Sequence, residues 1–320
     1  MSNCRAGILL LFSLLSFCSQ KSHSQTPDYS GNSGHPDTSS SFILIGDVQL
    51  RGLPEIFLGR ENNKKAVETL LAEIAREDPT FVLILGDLTF SGSSLKEWKV
   101  LDAMSKPIIS AGIPVFPLPG NHEYLGNHNT AFQEYFSRFP QLGNRLWYSK
   151  RWKDIGIITL DANLSHFKKE QSDDERAWYL SELQSMQNDT SLTFIIVCTH
   201  QPPFTNSTVV SDDNQVQKYF VPAFINTPKA KLFFSGHSHS YEHFKIKGKD
   251  FIVSGGGGPR QDLRKGPKDA RHKDYFSGGI RRSHHFCKVT RSAEGVRVQM
   301  IQVGEDLQSW SIGEEMLVMP

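Results

Sequence analysis

Five short apolar segments of this chain each end in a turn or small residue that is followed at once by Asp, Asn or His. Their lengths and aliphatic content are typical of buried β-strands. The segments are residues 41–45 before Asp47, 81–85 before Asp87, 113–118 before Asn121, 192–198 before His200 and 231–234 before His237. Between the first two, Val67, Leu70, Leu71 and Ile74 recur at helical spacing. This alternation predicts an α/β fold with its sheets covered by helices.

The polar residues at the strand ends predict a shared metal site. In α/β sheets, loops at the carboxyl ends of the strands meet in one crevice. A single Gly-Asp pair is usually a turn and a single His is usually structural, but five coincident signals favour a common site. Mixed oxygen and imidazole ligands suit Zn, Mn or Fe, and two ions about 3.5–4 Å apart would share a carboxylate. The candidate ligands are Asp47, Asp87, Asn121, His200, His237 and His239.

The motifs at these strand ends also carry a resemblance to a known family. They are Gly46-Asp47, Gly86-Asp87, Gly120-Asn121-His122-Glu123, Thr199-His200 and Gly236-His237-Ser238-His239. In order and strand context they resemble the calcineurin-like metallophosphoesterase superfamily, which includes the purple acid phosphatases and related exported bacterial phosphoesterases. The resemblance covers residues 42–303. It implies a four-layer α/β/β/α sandwich with a dinuclear metal centre at its edge.

The resemblance also implies a role for each matching residue. Asp87 would bridge two metal ions. The remaining ligands would divide between the ions, with Asn121, His200 and His237 on one and Asp47 and His239 on the other.

Further positions are implied in catalysis and substrate binding. His122 resembles the family histidine that contacts the substrate phosphate or protonates the leaving oxygen, and Glu123 is expected to orient it through a hydrogen bond. Asn121 is a candidate for substrate binding as well as metal binding. Gly256, within the run Ser254 to Pro259, is a candidate because glycine lets the backbone approach a substrate or metal closely, and the alternative for this run is a flexible junction between a strand and a loop.

Two positions depart from the family pattern. Most members have Asp-x-His in the first motif, whereas this chain has Asp47-Val48-Gln49. Gln49 is either a weak oxygen ligand or no ligand, and an amide there favours a harder ion such as Mn or Mg over Zn. Purple acid phosphatases carry a Tyr ligand three residues after the bridging Asp. Here that residue is Phe90, which argues against their coloured Fe(III) site.

These residues predict a metal-dependent hydrolase of phosphoric esters. A hydroxide bridging two metal ions would attack phosphorus, and His122 would act as general acid. The sequence leaves open phosphomonoesters or phosphodiesters as the small substrate. The alternative is an exported metal- or phosphate-binding protein on a catalytically weakened scaffold, suggested by Gln49 and Phe90. With 35 basic against 34 acidic residues, no nucleic-acid partner is expected.

The N-terminus is typical of an export signal. Residues 8–17 are mostly apolar, follow Arg5 and are too short to span a bilayer. We expect a signal peptide over 1–24 and a periplasmic, secreted or lipid-anchored protein. Cys18 suggests lipidation and membrane attachment, although Phe17 departs from the small residue preferred before a lipidated Cys.

The rest of the chain divides into three predicted parts. Residues 25–41 are rich in Ser, Gly, Pro and Asn and predict a flexible linker. Residues 42–304 contain no further linker and predict one catalytic domain, which we expect to be a monomer. Residues 305–320 have only scattered apolar positions and predict a C-terminal tail, either frayed or added as an edge strand.

Overall fold

The computed structural model describes residues 26–31 and 40–320. The predicted signal peptide, including Cys18, and most of the predicted linker lie outside the described residues. In the described part, the strands are β1 Ser41–Ile45, β2 Val82–Ile84, β3 Val115–Pro117, β4 Tyr148–Trp152, β5 Ile155–Thr159, β6 Phe194–Cys198, β7 Ala230–Ser235, β8 Tyr241–Ile246, β9 Lys249–Ser254, β10 His285–Arg291, β11 Val296–Val303 and β12 Trp310–Val318.

The helices lie mainly between the strands of the parallel regions. They are α1 Leu53–Phe57, α2 Lys64–Arg76, α3 Leu95–Met104, α4 Lys106–Ser110, α5 His128–Arg138, α6 Lys169–Asn188, α7 Asn214–Tyr219, α8 Val221–Asn226 and α9 Gly266–Asp269. Short 3-10 turns occur at His122–Tyr124, Pro140–Leu142 and Leu164–His166. The predicted helix around 61–77 is α2, and its buried residues include Val67, Leu70, Leu71 and Ile74.

The strands form two six-stranded mixed sheets. The first has the order β12-β11-β10-β1-β2-β3, and the second has the order β4-β5-β6-β7-β9-β8. Strands β1, β2 and β3 are parallel to one another, as are β5, β6, β7 and β9. Because these strands are parallel, their carboxyl ends lie at one edge of each sheet, where the polar motifs follow.

Three apolar clusters define four layers. One cluster lies between the sheets and includes Phe42, Leu83 and Ile196. A second joins the outer face of the first sheet to α2 and α3. A third joins the outer face of the second sheet to α6, α7 and α8. The chain is therefore an α/β/β/α sandwich, and the predicted fold class is confirmed.

This layering explains the apolar runs of the sequence. All five residues of β1 and all five of β6 are buried, since both faces of each strand are covered. Alternate residues face the cluster between the sheets and the cluster beneath the helices. A strand with two buried faces must be apolar at nearly every position, as these segments are.

The structure differs from the sequence-based expectation near the start of the described part, whereas near its end the edge-strand alternative is the one observed. Tyr29, in the predicted flexible linker, is buried, packs on Phe139 and donates a hydrogen bond from its hydroxyl group to Asp102. Residues 310–318, in the predicted tail, form β12, which pairs with β11 along its length. In the part of the chain that the structure describes, no helix is both long and apolar enough to cross a membrane.

Candidate metal centre

The structure brings the six predicted ligands together at the carboxyl ends of five strands. Asp47 follows β1, Asp87 follows β2, and Asn121 lies beyond β3 in the first sheet. His200 follows β6, and the segment with His237 and His239 follows β7 in the second sheet. Both sheets contribute, so the site depends on how they are packed against each other.

The ligand atoms form two groups with one residue in common. Asp87, His200 and His237 each place an oxygen or nitrogen atom within 4.8 Å of the others. Asp47, Asp87 and His239 do the same on the other side of Asp87. Two cations sharing one carboxylate would need such a pair of groups.

The imidazole rings are oriented for ligation. The Nδ1 atom of His200 lies 2.7 Å from the carbonyl oxygen of Leu85, and Nδ1 of His239 lies 2.9 Å from that of Pro259. Each Nδ1–H therefore donates to a carbonyl group, so Nε2 is the ring atom that faces the site. The Nε2 atom of His200 lies 3.1 Å from Asn121 Oδ1 and 3.2 Å from His237 Nδ1.

The backbone is strained at three of these positions. Asp47, Asp87 and His237 have φ angles of 62°, 54° and 65°, in the left-handed region that non-glycine residues avoid. Such conformations cost on the order of 1–3 kcal/mol each and cluster at functional sites. The strain turns each side chain into the shared space at the end of its strand.

The glycines that precede ligands in the motifs have a steric role. A Cβ atom at Gly120 would lie 2.1 Å from the Asp87 Oδ1 atom. A Cβ atom at Gly236 would lie 2.8 Å from the Asp47 Oδ2 atom. Each glycine lets a backbone loop from one strand touch the carboxylate that follows another strand.

The charges of the site favour cation binding. Burial would raise the pKa of Asp87, but His200 and His122 hold it well below its usual range. Burial lowers the pKa of His200, yet the charge of Asp87 more than offsets this and raises it to about 10. Burial, aided by His200, lowers the pKa of His237 to about 3. An ionised Asp87 and a neutral His237 are the ligating forms, and a cation would displace the proton from His200.

Gln49 contributes an amide oxygen to the same space. With its amide exchanged, the nitrogen donates to the backbone carbonyl oxygens of Asp47 and Asp87 at 3.1 and 2.9 Å. The oxygen then occupies the place 3.4 Å from Asp87 Oδ2 and 3.3 Å from His239 Nε2. An amide oxygen facing a carboxylate and an imidazole lone pair is favourable when a cation lies between them. The donor set therefore fits two metal ions.

His122 lies at the mouth of the site. Its side chain is 19% exposed, and its Nε2 atom is 3.9 Å from Asp87 Oδ2. Its Nδ1 atom lies 2.7 Å from the carbonyl oxygen of Phe90, to which it donates. The Phe90 ring packs against the imidazole with centroids 4.9 Å apart. Phe90 therefore orients His122 instead of supplying a ligand.

Glu123 does not have the expected position beside the imidazole. Its carboxylate accepts hydrogen bonds from the backbone N–H groups of Asp87, Leu88 and Gly120 at 2.7–2.9 Å. Within residues 26–31 and 40–320, no hydrogen bond joins Glu123 to His122. Burial, together with the charge of Asp87, raises the pKa of Glu123 to about 7. Glu123 therefore joins the loops after β2 and β3. The prediction that it orients His122 through a hydrogen bond is wrong.

The glycine run from Ser254 to Pro259 contacts the histidines His285 and His239. Space for a Cβ atom at Gly256 is filled by the backbone of His285, so this residue faces the protein interior. Gly258 lies against the ring of His239, where a Cβ atom would be 2.4 Å away. The run therefore packs behind a metal-facing imidazole, and the predicted substrate contact of Gly256 stays a prediction.

Sequence reasoning missed an ion-pair cluster that holds this run. Arg260 donates to both carboxylate oxygens of Glu61 and also pairs with Glu305. Glu61 lies 3.2 Å from the Nε2 atom of His284, whose Nδ1 atom is 2.9 Å from the carbonyl oxygen of Gly256. The paired residues are 199 positions apart, so no local pattern signals this cluster.

The sandwich fold and the two candidate ligand groups at its edge are those of a metallophosphoesterase. The sequence model of the calcineurin-like phosphoesterase family matches residues 40–241. The chain belongs to this family.

Comparisons with individual proteins are more distant. The chain is 28% identical to an uncharacterized protein of Mycobacterium tuberculosis, over 63% of this chain and 42% of that protein. It is 26% identical to purple acid phosphatase 1 of Ipomoea batatas, over 65% of this chain and 43% of the other. It therefore spans less than half the length of these relatives. The solved purple acid phosphatase from yellow lupin seeds has the same fold, with a TM-score of 0.64, 15% identity and coverage of 89% of this chain and 55% of that one.

Proposed function

We propose that this protein hydrolyses phosphoric esters with two divalent metal ions bound at the strand ends. The observation that carries the proposal is Asp87, whose carboxylate belongs to both ligand groups. When bound, the two ions would supply a water molecule of lowered pKa as nucleophile and positive charge for the phosphoryl oxygens. Asn121, His200 and His237 would hold one ion. Asp47, His239 and the Gln49 oxygen would hold the other.

The chain itself supplies the proton for the leaving group. The Nδ1–H group of His122 donates a hydrogen bond to the carbonyl oxygen of Phe90, so Nε2 is the ring atom that faces the centre. In the doubly protonated ring the Nε2 proton can pass to the oxygen that leaves phosphorus, which leaves the neutral ring with its proton on Nδ1, and such a transfer typically contributes 10²–10⁴-fold. Because His122 is partly exposed at the mouth, a leaving group can depart past it without passing the metal ligands.

The alternative of a weakened binding scaffold has less support. A protein that only binds phosphate needs no oriented imidazole beside the shared carboxylate, yet the ring of His122 is held in place by the hydrogen bond from Nδ1 to the Phe90 carbonyl oxygen. The amide oxygen of Gln49 supplies a neutral ligand where most relatives have an imidazole, which favours Mn or Mg over Zn. We further propose action outside the cytoplasm, supported by the apolar segment at residues 8–17.

The test is turnover of p-nitrophenyl phosphate and bis-p-nitrophenyl phosphate by the purified protein after loading with Mn, Mg, Zn or Fe. We expect turnover that EDTA removes and one metal restores, and the ratio of the two rates assigns monoester or diester preference. Asp87→Asn should abolish turnover, whereas Asp174→Asn, an exposed carboxylate on α6, should retain it. Metal-independent turnover, or an active Asp87→Asn variant, would refute the proposal.

A further inference from the structure

Apolar surface begins directly beside His122. A general acid must lie next to the oxygen of the leaving group, so the leaving group of a bound ester emerges on the His122 side. The first side chain met there is Phe90, whose ring packs on the imidazole. Phe90 also lies over Gly52, where a Cβ atom would be 2.3 Å from the ring.

From Phe90 the apolar surface continues inward. A cavity of about 160 Å³ lies between the loop after β1, the loop after β2 and α3, and Phe90 forms part of its wall. Its other apolar lining includes Leu50, Leu88, Val100 and Met104. Thr89 also lines it, and the buried Thr89 hydroxyl group has no hydrogen-bond partner.

The cavity adjoins a larger groove with a cationic rim. This groove has a volume of about 560 Å³ and shares Val100, Met104 and Lys96 with the cavity. Lys64 and Lys99 also line it, and among the described residues of its lining Glu68 is the acidic one. Its volume is within the range of pockets that hold small molecules, roughly 300–1,000 Å³. The groove therefore offers an apolar floor and excess positive charge.

From Phe90 the apolar surface also continues outward onto α1. Leu53, Phe57 and Leu58 are 70%, 87% and 73% exposed, and Ile56 is also exposed. Single exposed apolar residues are ordinary, but contiguous exposed apolar patches mark binding sites. This patch begins at the residue after Gly52, over which the Phe90 ring lies.

We propose that the substrates are amphiphilic phosphoesters whose hydrocarbon chain leaves through this apolar surface. The chain would pass Phe90 and lie in the cavity and groove, flanked by α1, while an acidic group on the substrate would meet Lys96 and Lys99. Continuity with His122 and the charge of the rim favour this occupant over a protein partner. This inference rests on the proposed function and adds a substrate class to it.

The test compares n-alkyl phosphates from ethyl to decyl below their micelle concentrations, with the metal-loaded protein. Each buried methylene should raise kcat/KM about fourfold until the groove is filled. The double variant Leu53→Ser/Phe57→Ser and the single variant Val100→Glu should each flatten this dependence. Leu180→Ser, which removes an exposed leucine on α6, should keep it. Equal kcat/KM for ethyl and decyl phosphate, or an unchanged dependence in both variants, would overturn the inference.

A binding measurement separates this inference from the proposed function. Calorimetric titration with decylphosphonate and ethylphosphonate requires no turnover. Decylphosphonate should bind at least tenfold more tightly, and the advantage should vanish in Leu53→Ser/Phe57→Ser. If both phosphonates bind equally while p-nitrophenyl phosphate is hydrolysed, the proposed phosphoesterase activity is supported and the amphiphilic substrate class is refuted. A wild-type dimer that the double variant dissociates, without a chain-length effect, would make a second copy the occupant and also overturn it.

Discussion

Gln49 occupies the position at which most family members have the histidine of the Asp-x-His motif. This single residue therefore changes one ligand of the candidate metal centre without changing the fold. With its amide exchanged, both hydrogen atoms of its nitrogen have backbone acceptors, at the carbonyl oxygens of Asp47 and Asp87. The side chain therefore has one orientation, with its oxygen toward Asp87 and His239.

This orientation predicts that Gln49 holds one metal ion. Gln49→Leu should lower the metal content of the Mn-loaded protein from two ions per chain toward one. Gln49→His should slow the loss of the second ion during dialysis against EDTA, because imidazole is a stronger ligand. Elemental analysis measures both, with Gln215→Leu, at an exposed position on α7, as control. Unchanged metal content in Gln49→Leu would show that the amide does not face the metal.

His122 predicts a dependence on the leaving group. Without the imidazole, esters of poorly acidic alcohols should lose 10²–10⁴-fold in kcat, because their leaving oxygen needs a proton. p-Nitrophenyl phosphate should lose less than about tenfold, since its leaving group is stable as an anion. His122→Ala kinetics on both substrates measure this, and His128→Ala is the matched control. Equal losses on the two substrates would assign His122 to binding alone.

At the scale of elements, the strand ends were predictable and the contacts between loops were not. The polar motifs are local, because a buried strand must be apolar and the next residue is free to be polar. Glu123 follows His122 in sequence, but the 3-10 turn over His122–Tyr124 directs its carboxylate into the protein. Besides Gly120, its partners Asp87 and Leu88 lie in the loop after β2, about 35 residues earlier. Sequence adjacency suggested a partner that three-dimensional packing does not provide.

The sequence did not decide whether the segment that forms β12 is a frayed tail or an edge strand, and the reason is different. Glu314 and Glu315 interrupt its apolar pattern. Glu314 accepts a hydrogen bond from the Tyr241 hydroxyl group, and Glu315 pairs with Arg297 of β11. The pairing register passes from Glu314 to Ile312, skipping Gly313, and this irregularity breaks the alternation of side chains. Both acids are satisfied by partners that lie in other strands, which a linear pattern cannot show.

Glu123 predicts a coupled loss of stability and metal. In Glu123→Ala, the N–H groups of Asp87, Leu88 and Gly120 lose their buried acceptor. We expect a loss of about 3–5 kcal/mol in the free energy of unfolding, because unpaired buried donors cost roughly 1–3 kcal/mol each. Urea unfolding in EDTA measures this, with exposed Glu294→Ala as control. Metal content should fall as well, and a variant as stable as the control would contradict the proposed tie between the loops.

At the scale of the whole molecule, the two sheets must keep a fixed relation because each supplies ligands. His243 of β8 joins them at one side of the sandwich. Its Nε2 atom lies 2.8 Å from Asp250 of β9, and its Nδ1 atom lies 3.0 Å from Glu314 of β12 in the other sheet. Asp274 accepts its backbone N–H, and Lys245 lies 3.5 Å from Asp250. The protonated ring thus bridges carboxylates of both sheets.

This bridge predicts a pH-dependent stability. Burial lowers the pKa of His243, but Asp250 and Glu314 more than offset this and raise it to about 9 from 6.5. Because the folded-state pKa is the higher one, the stabilisation is complete below pH 6.5 and is lost as pH rises through 9. The loss should be about 3 kcal/mol. Urea unfolding in EDTA at pH 6 and pH 9.5 measures it.

The control for this pH dependence is a variant in which the side chain at position 243 cannot titrate. His243→Gln should be less stable than wild type at pH 6 and should lack the loss between pH 6 and pH 9.5. His128→Gln, outside the bridge, should keep the wild-type pH dependence. The same pH-dependent loss in His243→Gln and wild type would assign the effect to other groups.

Anomalous diffraction from crystals of the Mn-loaded protein shows whether two metal ions share Asp87. We expect two anomalous peaks about 3.5–4 Å apart. Both should lie within ligand distance of the Asp87 carboxylate, one beside His200 and His237 and the other beside Asp47, Gln49 and His239. A single peak, or two peaks of which only one contacts Asp87, would contradict this expectation.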